Sequence, residues 1–103
     1  MALPTLTAAQ RDDALRKAQA ARLARKQLLA AIAAGEQTLP AVLDQAKTDT
    51  IIGRTKVADS LKSLPGYGPA KVTTLMRQTG IVSSRRAAGL GERQRQALTD
   101  ALT

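Results

Sequence analysis

At 103 residues the chain has room for one small domain and an appendage, and with neither Cys nor His it lacks the residues of the usual zinc sites, disulfides, thiol nucleophiles and Ser-His-Asp triads. Lys and Arg number 16 against 8 acidic residues, a net charge of +8 that favours polyanions such as nucleic acid or an anionic membrane. Phe and Trp are absent and Tyr occurs once, so the core must be assembled from Leu, Ile, Val, Met and Ala and is expected to be thin.

The opening MALPTLTAAQRDD has no apolar run of the secretory kind, and no window approaches the roughly 20 apolar residues of a membrane span. A soluble cytoplasmic protein is expected. From Thr7 to Ala34 the chain is rich in Ala, Leu, Gln, Arg and Lys, has no Pro or Gly and stops at Gly35, which predicts one helix about 40 Å long with Thr7 as its N-cap. Projected at helical period, Ala14, Ala18, Ala21, Leu28, Leu29 and Ile32 form one face, with Arg25 in the middle of it. Only the last two turns have large apolar anchors, so the basic first half is expected to project. The next helix is capped by Thr38 and buries Leu39, Val42, Leu43 and Ala46. A third runs from about Ile51 or Thr55 to Ser63, and a fourth from Pro69 to Thr79, stopped by Gly80. A fifth spans Glu92 to Leu102. No segment alternates like a strand. The expected class is all-α: a long N-terminal helix (residues 1–35) on a compact four-helix body (residues 36–103).

Between the third and fourth helices lies SLPGYGPAK. A helix start leaves N–H groups without intrahelical partners and carries the positive end of the dipole, so it attracts phosphate. Here Pro65 and Pro69 stiffen the turn, and Gly66 and Gly68 can take positive φ and let another backbone approach. Lys71 stands in the first turn, where it opposes the dipole but suits an anion. Tyr67 can either stack on or bond a nucleotide, or plug the hairpin against Leu64 or Leu75. With its flanking apolar residues Leu64, Ala70, Val72, Leu75 and Met76, the stretch resembles the helix-hairpin-helix and helix-two-turns-helix elements of many nucleic-acid-binding proteins, a resemblance that implies a grip on sugar-phosphate backbone without base reading. A second Gly-x-Gly, Gly89-Leu90-Gly91, opens the last helix just after Ser84, Arg85 and Arg86, and is expected to form the other half of a clamp.

The opening MALPTLTAAQR, the segment IIGRTKVADSLKSLPGYG and the later GIVSSRRAAGLG resemble, in order and spacing, the actinobacterial integration host factors, small nucleoid-associated DNA-binding proteins. The resemblance spans nearly the whole chain. It implies a helical monomer whose hairpin is similar to that of a small-subunit ribosomal protein, and which binds duplex DNA with little sequence preference. It also implies bending or compaction of DNA, support of phage integrase complexes, regulation of transcription and a place in the nucleoid. By motif it implies backbone contact at Gly66, Tyr67, Gly68, Pro69 and Lys71, and at Ser84, Arg85, Arg86, Gly89 and Gly91. A second DNA-binding face is expected from Arg22, Arg25 and Lys26 of the first helix with Arg54 and Lys56. Family members often carry a third Arg where Ala88 stands, a loss that Arg93 or Arg95 would have to offset.

Three rivals weigh less. A hairpin-containing glycosylase needs an Asp some twenty residues beyond the hairpin, where this chain has arginines and glycines, its next Asp being Asp100. A membrane-surface helix needs a large apolar wedge, and the basic helix has an alanine face. A ribosomal-type RNA-binding protein is the remaining alternative, which the hairpin alone does not separate from a DNA binder. No catalysis, cofactor or metal is expected.

Overall fold

The structure, a computed structural model, describes residues 5–102. The first four residues of the MALPTLTAAQR stretch and Thr103, which end the two expected domains, lie outside the described residues. Six α-helices follow one another: α1 (Ala8–Ala33), α2 (Leu39–Gln45), α3 (Thr50–Arg54), α4 (Val57–Ser63), α5 (Pro69–Thr79) and α6 (Glu92–Leu102), with a 3-10 turn over Ala87–Gly89. Among the described residues there is no strand, only an antiparallel bridge between Lys56 and Arg86.

Local chemistry accounts for most of these boundaries. Thr7 starts α1 through a capping box in which its hydroxyl accepts from the Gln10 N–H while the Gln10 side chain accepts from the Thr7 N–H. Thr38 caps α2 by accepting from the Ala41 N–H, and Pro40 is tolerated in its first turn. At the end of α5, Gly80 turns left-handed (φ 71°), so that the Ile81 N–H reaches the Met76 carbonyl and the Gly80 N–H the Arg77 carbonyl. That closes a Schellman motif in which Ile81 and Met76 are both buried.

The third helix departs from expectation, because it is two helices. Asp49 caps α3 by accepting from the Ile51 and Ile52 N–H groups, and the chain becomes extended at Thr55 and Lys56 before α4 begins. What breaks it is a later segment. The Thr55 carbonyl accepts from the Ala87 N–H at 2.9 Å, and the Val57 N–H donates to the Arg85 carbonyl at 3.0 Å.

The core is shared among the helices. Ile32 of α1, Val42 of α2, Val57 and Leu61 of α4, Val72 of α5 and Leu98 of α6 are almost fully enclosed, and α3 contributes Ile52. The C-terminal half of α1 packs on α3 and α4, α4 and α5 form a hairpin, and α6 closes on α5 and α2. Every residue from Thr5 to Lys17 is exposed. This free half of α1 gives a radius of gyration of 16.2 Å, against about 13 Å for 100 compact residues. No helix among the described residues is long and apolar enough to cross a membrane.

Candidate nucleic-acid interface

The α4–α5 hairpin turns at Leu64-Pro65-Gly66-Tyr67, where the Tyr67 N–H donates to the Leu64 carbonyl at 3.1 Å. Pro second and a positive-φ Gly third is the arrangement that such a turn requires, and Gly66 has φ 80°. Gly68 behaves differently. It is the N-cap of α5 with ordinary extended angles (φ −80°, ψ 173°), and a Cβ added there would meet nothing within 4 Å. The protein's own packing therefore does not demand a glycine at 68, whereas the turn demands one at 66.

Gly66→Ala is thus expected to lower stability by about 1–2 kcal/mol, the cost of a left-handed residue with a Cβ, and Gly68→Ala to leave it unchanged. Paired thermal melts separate the two, with about 4–8 °C per kcal/mol in a domain of this size.

Pro65 and Pro69 have no N–H, and the start of α5 has no side-chain cap. The N–H groups of Gly66, Gly68, Ala70 and Lys71 consequently have no partner among the described residues. They form a donor cluster at the positive end of an 11-residue helix. The Tyr67 ring is half-buried against the core, as a plug of the hairpin would be, and the Lys71 ammonium lies 4.4 Å from the ring centroid.

The second glycine pair is built otherwise. Its amides are occupied: the Gly89 N–H donates to the Arg86 carbonyl (2.9 Å), the Leu90 N–H to the Ala87 carbonyl (3.4 Å) and the Gly91 N–H to Gln94 Oε1 (3.1 Å). Only the first-turn amides of α6 stay free, and the Glu92 carboxylate stands in that same turn, where it counts against an anion. Gly89 and Gly91 are thus no open donor site. What this segment presents are side chains, since Ser84, Arg85 and Arg86 are all exposed. A Cβ on Gly89 would lie 3.3 Å from Arg85 Cδ, so the glycine leaves room for that arginine.

The same segment gathers cations from far along the chain. Through the Lys56–Arg86 bridge and the hydrogen bond from the Arg86 guanidinium to the Arg54 carbonyl, Arg54 and Lys56 stand beside the arginine pair. These two residues, expected with the first helix, thus lie on the edge that carries Arg85 and Arg86, on the elements against which α1 packs. On α1, Arg22 and Lys26 are exposed, but Arg25 is half-buried and its Nε is enclosed without a partner. Arg25 therefore packs toward the body through its stem. Arg95 does not stand in for the arginine missing at Ala88, because it is bound to Asp44 at 2.6 Å; Arg93 remains exposed.

Sequence reasoning overlooked Lys62 and Arg77, which with Ser83 border a groove floored by Ala58, Val72, Met76 and Ile81 between the hairpin and the arginine segment. Their only signal was the surplus of basic residues across this part of the chain. It also overlooked the Ala70 amide. Among the described residues, no group of three acidic side chains could hold a metal.

The stretch 32–102 matches the family model of the S13-like H2TH domain. The integration host factor of Mycolicibacterium smegmatis is 45% identical over 100 residues, 97% of this chain and 95% of that protein. The integration host factor of Mycobacterium tuberculosis is 44% identical over 100 residues with the same coverage. That of Streptomyces coelicolor is 42% identical over 94 residues, 91% of this chain and 88% of its own. Among solved structures, sIHF bound to an 8-bp palindromic DNA superposes with a TM-score of 0.83 at 34% identity, covering 85% of this chain and 99% of that one.

Proposed function

Because the chain belongs to the integration host factor family of actinobacteria, we propose that it is a nucleoid-associated protein that grips duplex DNA by its sugar-phosphate backbone. The observation that carries this reading is the cluster of four unpartnered amides at the hairpin tip, with the exposed Lys71 in the same helical turn. Such a cluster fits a phosphate and carries no information about a base. A relative of the same fold, sIHF, has been solved on an 8-bp palindromic DNA.

The basic edge of Arg54, Lys56, Arg85 and Arg86 supplies further phosphate contacts, and Ser84 a neutral one. The exposed Arg22 and Lys26 of α1 form a second face, so that residues 1–35 act as a basic arm and residues 36–103 as the gripping body. Two faces on one monomer allow it to bend a duplex or to bridge two. Specific readout would need Arg, Asn or Gln from a helix seated in the major groove. The chain has no Asn and the hairpin offers backbone amides rather than such side chains, so shape and deformability of the DNA are the expected source of any preference. The role is architectural rather than catalytic. It extends to phage integrase complexes and transcription regulation, in the nucleoid of the cytoplasm.

Competition between a linear duplex and a structured RNA at equal salt, followed by ring closure of a short fragment, tests this. Duplex DNA is expected to win and ring closure to accelerate. Preference for the RNA would replace the reading with a ribosomal-type one, and unchanged ring closure would remove bending from it.

A further inference from the structure

We infer that Tyr67 is a positioning residue for DNA binding. Its half-buried ring is a platform that holds the side chain of Lys71, a residue whose own amide belongs to the hairpin's donor cluster, before any phosphate arrives. The inference rests on the duplex reading above, and two independent features of the structure support it.

The first is where Lys71 stands. It is the third residue of α5, in the turn where the helix dipole repels a cation and where no acidic side chain is present to hold one. A lysine has a long flexible stem and a strongly hydrated head, so nothing in its own turn keeps it there. The second is what compensates. The Nζ lies 4.4 Å from the Tyr67 ring centroid, well inside the range at which a ring face attracts a cation. That ring is itself held, because Tyr67 packs against the buried core and lies between two surface grooves, one lined by Ile32, Leu39 and Leu64, the other by Lys71, Thr74 and Leu75. The core thus fixes the ring, and the ring fixes the lysine.

The consequence for binding is entropic. A lysine side chain already confined at the Tyr67 ring loses less freedom when a phosphate enters the neighbouring donor cluster. Tyr67 accordingly acts through Lys71 and not by stacking on a base or donating its hydroxyl to the strand.

A double-mutant cycle on duplex affinity tests this, using Tyr67→Leu, Tyr67→Phe, Lys71→Ala and Tyr67→Leu with Lys71→Ala. Tyr67→Leu is expected to weaken binding about threefold while Lys71 is present, the value of an exposed cation–ring contact, and to cost nothing once Lys71 is alanine. Tyr67→Phe, which keeps the ring face, is expected to bind like the wild type. Equal losses from Tyr67→Leu in both backgrounds, or a loss from Tyr67→Phe, would overturn the proposal in favour of direct contact or a deformed hairpin.

A second measurement needs no variant and no DNA. The Lys71 side-chain methylene protons of the free wild-type protein should show upfield ring-current shifts in NMR spectra, and their absence would also overturn it. Failure of the wild type to bind duplex would sink the reading on which the proposal rests, while the ring-current shifts would still report whether the platform exists.

Discussion

Raising monovalent salt from about 50 to about 200 mM is expected to weaken duplex binding roughly a thousandfold, a slope near −5 in log K against log salt for about six neutralised phosphates. The expectation follows from where the cations are. Lys71 stands in the first turn of α5 beside the Tyr67 ring, Arg54, Lys56, Arg85 and Arg86 line one edge, and Arg22 and Lys26 lie on α1. All seven are exposed and, among the described residues, none is paired with a carboxylate, so about six of them are expected to exchange a solvent counterion for a phosphate. Arg95 is excluded from this group, since Asp44 holds it. Titrations at several salt concentrations measure the slope directly. A flat dependence would mean that cations do not carry the binding, and would take the proposed function with it.

The second large effect is expected from the arginine pair, and the structure separates its two members. Arg85 reaches only the Gly89 carbonyl, at 3.4 Å, a weak hydrogen bond that it gives up at little cost when a phosphate arrives. Arg86 is tied to the Arg54 carbonyl at the end of α3 and bridges Lys56. Arg85→Ala should therefore weaken binding about tenfold, from removal of a charge-assisted hydrogen bond of about 1.5 kcal/mol, with the melting temperature unchanged. Arg86→Ala should cost a similar factor and also lower the melting temperature, because the junction between α3 and α4 loses a clasp. Together they should reduce affinity roughly a hundredfold, and by the same factor on duplexes of different sequence. Loss confined to one sequence would show base readout and overturn the backbone-contact reading.

The two effects have different origins, and this matters for how the protein holds DNA. The hairpin offers fixed backbone dipoles that side-chain changes barely touch, apart from a methyl group placed in the space that Gly68 leaves open. The arginine edge offers mobile full charges. Removing those charges one at a time is therefore expected to lower the salt slope by about 0.9 for each phosphate no longer neutralised, while the hairpin's amide share of the affinity is expected to persist at high salt.

Much of this protein is legible in its sequence, for a common reason. The caps at Thr7 and Thr38, the Schellman stop at Gly80 and the turn at Gly66 involve partners no more than five residues apart, so the residues that make each feature sit side by side in the string. The all-α class follows from helical periodicity without alternation, and the hairpin's free amides follow from two prolines and an uncapped helix start. What the sequence could not disclose is decided by contacts between distant parts of the chain. The split of the third helix and the placing of Arg54 and Lys56 beside the arginine pair have no local signature, whereas the half-burial of Arg25 follows from its place on the apolar face of α1. The split and the placing depend on pairing between Arg54 to Val57 and Arg85 to Ala87, some thirty residues away. The closing of the second glycine pair was hidden more narrowly, since a 3-10 turn and the returning Gln94 side chain use amides that the motif alone suggests are free. Gln94 also binds the Gly80 carbonyl at the end of α5, so its placement depends on the packing of α6 against α5. Helix starts and stops are governed by neighbours along the chain; which cations share a surface is governed by which segments pair, and only the folded molecule fixes that.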